Sequence, residues 1–164
     1  MTADPHEIFP PPPPPVPVLG AELTCEAPAS LLDTGGYQQT FTTTQQEPSG
    51  FYPWTVAGTT PTSFTLIGTA LAFDGQKALP ATAEVKIVSQ DVDPNYEGNV
   101  GPPINLSASA SGEGHVTATL SVDLTKYGAT ADNNFQLLAT ATMIGSGAGR
   151  TEVITVPLLV ITPE

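Results

Sequence analysis

The sequence predicts an all-β protein: an antiparallel β-sandwich of about eight strands, immunoglobulin-like or jelly-roll, with an extended proline-rich arm at its N-terminus. Three observations lead there. Apolar and polar residues alternate with a period of two in segment after segment between Leu19 and Thr162, as half-buried strands require. No segment spaces its apolar residues by three and four over a dozen positions, as a helix would. Turn-forming residues recur throughout, with 15 glycines and 18 prolines interrupting every longer run.

Residues 1–18 form the arm. Pro10 to Pro15 is an unbroken proline run followed by Val16, Pro17 and Val18, and such a backbone has almost no N–H groups to give a sheet. As polyproline, at about 3.1 Å per residue, Phe9 to Val18 would reach roughly 30 Å, enough to cross a neighbouring subunit. The sandwich is expected over residues 19–164. Its first strand is Leu19 to Glu26, with Leu19, Ala21, Leu23 and Cys25 on one face, and a Thr/Gln-rich run from Tyr37 to Thr44 is the second. In residues 63–73, Phe64 and Leu66 share one parity and Leu71 and Phe73 the other, so a bulge at Gly68 is expected to exchange the faces before a turn at Asp74-Gly75. Residues 82–90 set Ala83, Val85 and Ile87 against Glu84, Lys86 and Gln90. Residues 103–111, with Ile104, Leu106, Ala108 and Ala110 facing one way, are expected to form a hairpin with 115–124, where Val116, Ala118, Leu120, Val122 and Leu124 alternate with polar residues. Residues 134–144 put Phe135, Leu137, Ala139, Ala141 and Met143 on one face, and the final strand is Arg150 to Thr162, where Pro157 predicts an edge or a bend.

A chain of 164 residues and 16.9 kDa has room for one core of ordinary size. The many inward alanines allow the sheets to pack closely but bury little area per residue, so burial against identical neighbours would add stability. Sixteen acidic residues against four basic ones give a net charge of -12. Lys77, Lys86, Lys126 and Arg150 are scattered, so the clustered basic surface that phosphate contacts need is missing, and nucleic acid is not an expected partner. The lone Cys25 cannot form an internal disulfide. The opening Met-Thr-Ala-Asp-Pro-His-Glu lacks the basic and apolar regions of a secretory signal, and no stretch reaches 18 consecutive apolar residues. Synthesis in a cytoplasm and no membrane insertion are expected.

Two loops carry the candidate chemistry. In Asp91-Val-Asp93-Pro-Asn95-Tyr-Glu97-Gly98-Asn99, oxygen donors recur at alternate positions, and Asp91, Asp93, Asn95 and Glu97 could ligate calcium, the only cofactor the sequence suggests. Tyr96 stands where an EF-hand loop needs glycine and Pro102 where it needs its bidentate glutamate, so that motif is rejected. The competing and favoured reading is a solvated acidic loop of local Asx turns. Phe51, Tyr52 and Trp54 gather the only tryptophan with two other aromatics in a Pro/Gly-rich connection. They could stack on a sugar or a partner's apolar anchor, although the favoured expectation is that they plug an open end of the sandwich. Catalysis finds no support: neither His6 nor His115 has a paired nucleophile, and Cys25 alternates onto an apolar face.

These features lead to the expectation of a non-enzymatic structural protein of a large assembly, a decoration or accessory protein of a virus or phage particle resident in the virion. Its arm, through Phe9, Pro10, Pro11, Pro12, Pro13, Pro14, Pro15, Val16, Pro17 and Val18, would contact identical subunits or the capsid. The resemblance to phage head-decoration proteins is one of architecture and carries over no residues. Phe9 and the proline run, with Glu7 upstream, also resemble the short ligands of EVH1 domains over about six residues. The alternative function is an extracellular or cell-surface recognition module for carbohydrate or protein, with the acidic loop as a calcium site and Phe51 to Trp54 as a contact.

Overall fold

A computed structural model describes residues 16–27, 37–42, 63–89, 99–100, 103–127 and 135–162. These form two antiparallel sheets packed face to face, the expected all-β sandwich. The strands are β1 (Val18–Ala27), β2 (Tyr37–Thr42), β3 (Ser63–Asp74), β4 (Lys77–Ala78), β5 (Pro80–Ser89), β6 (Asn99–Val100), β7 (Asn105–Glu113), β8 (His115–Asp123), β9 (Phe135–Gly147) and β10 (Arg150–Thr162). One sheet runs β2-β1-β3 with β8 and the short β4 also on β3; the other runs β10-β9-β5-β7, with β6 pairing parallel to β9. The chain changes sheet between β3 and β5, between β7 and β8, and between β8 and β9, while β9 and β10 stay together as a hairpin. That succession is immunoglobulin-like in strand order, not jelly-roll.

Alternation places one row of each strand inside. Leu23 and Cys25 of β1, Phe41 of β2, Phe64 and Leu66 of β3, Val85 and Ile87 of β5, Val122 of β8 and Met143 of β9 are completely buried, and each large side chain among them contributes about 1.5–3 kcal/mol by leaving water. The opposite rows are mostly polar, most regularly in β8, where Thr117, Thr119 and Ser121 face solvent, while Ile67, Leu71 and Phe73 of β3 and Ile144 of β9 are half-buried on the outer faces.

Three expectations are corrected. The segments 103–111 and 115–124 are not a hairpin: β7 pairs with β5 and β8 with β3, in opposite sheets. Gly114, at φ +76°, turns the chain sharply between them, so adjacent alternating segments part at a corner instead of folding onto one another. The predicted bulge at Gly68 is absent, because β3 keeps one register through it, with Gly68 opposite Leu23 on one side and Ala118 on the other. Phe64, Leu66, Gly68, Ala70 and Ala72 all face the core, and Leu71 and Phe73 face outward. Leu124 is buried as expected, yet it belongs to a 3-10 turn, Leu124–Tyr127, that follows the strand.

Gly68 is a packing residue. A Cβ there would lie 2.5 Å from Cγ2 of Val85 and 2.8 Å from Cγ of Met143, both in the facing sheet. Gly147 is similarly tight, its Cβ position being 2.9 Å from the Cβ of Ala72 and from the carbonyl oxygen of Pro80. Inward side chains therefore shrink along β3 from Phe64 to Ala72, along β5 from Ile87 to Ala81, and along β9 to Gly145 and Gly147. The sandwich tapers. At the narrow end the chain crosses between sheets at Leu79 and Gly114, and a ring of backbone hydrogen bonds fastens the crossing: Ala72 N–H donates to Gly114 O at 2.9 Å, Gly114 N–H to Leu79 O at 2.9 Å, and Leu79 N–H to Ala72 O at 3.0 Å.

Two hairpins close at the same end. Gly75-Gln76 joins β3 to β4, as the Asp74-Gly75 pair predicts. Ala148-Gly149 joins β9 to β10 with both residues at positive φ, 53° and 70°, a geometry that asparagine-glycine adopts with less strain than alanine. Pro157 lies in β10, an outer strand of its sheet, where a missing N–H is tolerated.

The packing account is checked by Gly68→Ala. We expect a loss of about 1–3 kcal/mol in urea unfolding, because Val85 is stiff at χ1 and cannot swing away from the added methyl without strain. A neutral or stabilising effect would mean that the sheets are not held at contact there.

Candidate interaction surfaces

The taper separates the chain's functional candidates onto two ends. At the narrow end β1 begins at Val18, paired with Phe73 of β3, and the chain before it holds the arm. Val16 is 62% exposed and Val18 52% exposed, unusual values for large apolar side chains, while Pro17 between them is half-buried. The rest of the arm contact set, Phe9 to Pro15, lies outside the described residues.

At the wide end stand Ala27 and Tyr37, Ser63 and Asp123, Ser89 and Asn105, and Phe135 with Thr162. Ser89 and Ile104 fasten the base of the excursion that carries the acidic loop. Ser89 N–H donates to Ile104 O at 2.9 Å, and Ile104 N–H donates to the Ser89 hydroxyl at 2.9 Å. The four candidate calcium ligands, Asp91, Asp93, Asn95 and Glu97, lie outside the described residues, as do Phe51, Tyr52 and Trp54. Asp123, at the end of β8, accepts hydrogen bonds from the Thr125 hydroxyl at 2.5 Å and the Thr125 N–H at 3.0 Å. These bonds, with Lys126 nearby, hold its carboxyl below the ordinary 3.8 and cap the 3-10 turn.

The outer faces are polar and locally bonded. Thr24 and Thr40 hydroxyls meet at 3.0 Å across β1 and β2, and the Gln38 amide donates to the Glu26 carboxylate at 2.5 Å one pair further along. On the other sheet the Lys86 ammonium lies 3.3 Å from the Glu84 carboxylate, an exposed pair that contributes little to stability. Among the described residues no three His, Cys, Asp or Glu side chains are grouped to hold a metal, and no helix is long and apolar enough to cross a membrane.

Cys25 is buried, and desolvation pushes its thiol from the ordinary 9.0 up to about 12. A thiol so placed is not a nucleophile near neutrality. His115 is exposed at the start of β8, opposite Leu71, and His6 lies outside the described residues. No protein-family model, no curated protein and no solved structure matches the chain.

The apolar outer surface at the narrow end is not legible in the sequence. The expected bulge at Gly68 would turn Leu71 and Phe73 inward, and the uninterrupted register of β3 turns them out beside Val18. The Ala70-Leu71-Ala72-Phe73 run permits either assignment, because alanine is apolar enough for one face and leucine and phenylalanine for the other.

The burial of Cys25 predicts that a small thiol reagent at pH 8 leaves the folded protein unmodified and labels it once urea unfolds it. It also fixes a pH dependence. The folded state holds the thiol neutral while the unfolded chain ionises at its ordinary value of 9.0, so this contribution to stability is complete below pH 9 and declines as pH rises towards about 12. Rapid labelling without denaturant would show β1 open to solvent.

Proposed function

We propose that the chain is a non-enzymatic structural component of a larger assembly, a decoration or accessory protein of a virus or phage particle, and that its arm makes the contacts between subunits. The observation that carries this reading is the exposed apolar root of the arm: Val16 and Val18 stand in solvent at the narrow end, where the chain leaves a tightly fastened domain. Exposed valines at the root of a proline run are what a second protein surface would cover. A polyproline segment is already extended, so docking it orders less chain than docking a flexible tail. The net charge of -12 makes bare surfaces repel, which favours association through an uncharged arm: no charged residue occurs from Ile8 to Ala21.

Deleting residues 1–15 is expected to leave the far-ultraviolet circular dichroism unchanged, and to abolish or strongly weaken self-association or co-sedimentation with the parent particle. Light scattering coupled to size exclusion reads the first, and pelleting with the assembly the second. Unchanged association in both would leave the arm a spacer and end this reading.

A second reading is a surface recognition module for carbohydrate or protein, favoured by the clamp of Ser89 and Ile104 at the base of the acidic loop. Bound calcium between Asp91, Asp93, Asn95 and Glu97 would raise the melting temperature by mass action, and EDTA would lower it. On the structural reading the melting curves in calcium and EDTA superimpose; a rise of several degrees in calcium would transfer the weight to recognition.

A further inference from the structure

The outer face of the first sheet carries an uncharged apolar platform at the narrow end. Across it, Val18, Phe73 and Ala78 stand in register on β1, β3 and β4, and in the next row Gly20 and Leu71 lie side by side. Val18 and Ala78 are exposed, and Leu71 and Phe73 are half-buried. Glycine shapes the surface twice. Gly20 leaves the Leu71 side chain uncovered on one flank, the nearest Leu71 atom lying 3.8 Å from where a Cβ would be. Gly114, whose Cβ position is 3.1 Å from the Phe73 ring and 3.0 Å from the Ala78 Cβ, lets the ring lie against the corner. The result is an aromatic ring flanked by aliphatic groups, the kind of surface on which polyproline segments dock. Charged residues border the platform, Glu22 of β1 in the following row and the Asp74 and Lys77 pair beyond Phe73 and Ala78, and the exposed His115 of β8 stands opposite Leu71.

We infer that this platform receives the proline run, Pro10 to Pro15, from the arm of a second copy of the chain; the inference rests on the arm being the contact-making element. The occupant follows from where the arm begins. Val18 is at once the root of the arm and the edge of the platform, so a chain's own arm would have to reverse direction immediately to cover it. A proline run resists that reversal. Two copies related by a two-fold axis need no reversal, because each arm leaves its own platform and crosses the other's, giving a self-complementary interface. The sizes agree. Three strands spaced by about 4.8 Å make the platform roughly 10 Å wide, and six prolines at about 3.1 Å each extend roughly 19 Å.

The test uses the full-length chain and changes only the receiving surface. Ala78→Asp puts a charge on the platform at an exposed position outside the arm, and Val88→Asp does the same on the opposite sheet, where Val88 is 46% exposed. Sedimentation velocity is expected to show self-association weakened at least tenfold by Ala78→Asp and little changed by Val88→Asp, with wild-type circular dichroism for both. Mixing a Pro12→Cys chain with a Val18→Cys chain under mild oxidation should give the inter-chain disulfide at least ten times faster than mixing Pro12→Cys with Val88→Cys. Normal association of Ala78→Asp, or equal cross-linking rates, overturns the platform as the arm's receptor. If arm deletion abolishes association at the same time, the arm reading survives and another surface receives it; if arm deletion has no effect, both fall together.

Discussion

Where the chain passes from one sheet to the other at Leu79 and Gly114, small residues, Ala72 against Gly147 and Ala21 and Ala70 against Gly145, bring the sheets close, and the rest of the molecule is arranged around that closeness. Gly68 and Gly147 face Val85 and Ala72 across a gap with no room for another methyl group, and Gly145 lies close to Ala21. The ring of bonds among Ala72, Leu79 and Gly114 holds the corner at that distance and satisfies backbone groups that a change of sheet would otherwise leave unpaired. Small residues at one end oblige the large ones to gather at the other, so Phe64, Phe41, Leu124, Ile104 and Ile87 supply most of the burial towards the wide end.

The two ends acquire different capacities from this one constraint. The narrow end is well bonded. At the wide end the fastening is local: Ser89 with Ile104 at the base of the connection that holds the acidic residues, and Asp123 with Thr125. Loops placed at one end of a sandwich can vary without disturbing the core, which is why either end could serve binding and why chemistry and not fold must decide between them.

Leu71 and Phe73 face outward and half-buried on a sheet whose outer row is otherwise mostly Thr, Ser and Glu, with Ile67 of the same strand as a further apolar residue. The placement of Leu71 and Phe73 beside Val18 and Ala78 gathers apolar residues at the arm's root.

The sequence by itself determined the fold class, because alternation with a period of two in β1, β5, β8 and β9 survives any arrangement of neighbours: whichever strands pair, Ala83, Val85 and Ile87 share a face. The inward face of Cys25 was legible in the same way, and Pro157 limited β10 to an edge or a bend, between which the sheet order gives the edge. Pairing was another matter. The segments on either side of Gly114 read equally well as a hairpin or as a corner, and only the tertiary structure, by giving β7 to β5 and β8 to β3, chose the corner. The parity of β3 was likewise undecided, because a run of alternating alanine and larger apolar residues has no polar face. Its sense is fixed by Val85 and Met143, distant in sequence, which leave space for Gly68 and for nothing larger. The candidate arm surface went unread for the same reason: a side chain's face is local information only when its neighbours differ from it in polarity, and at Leu71 and Phe73 they do not.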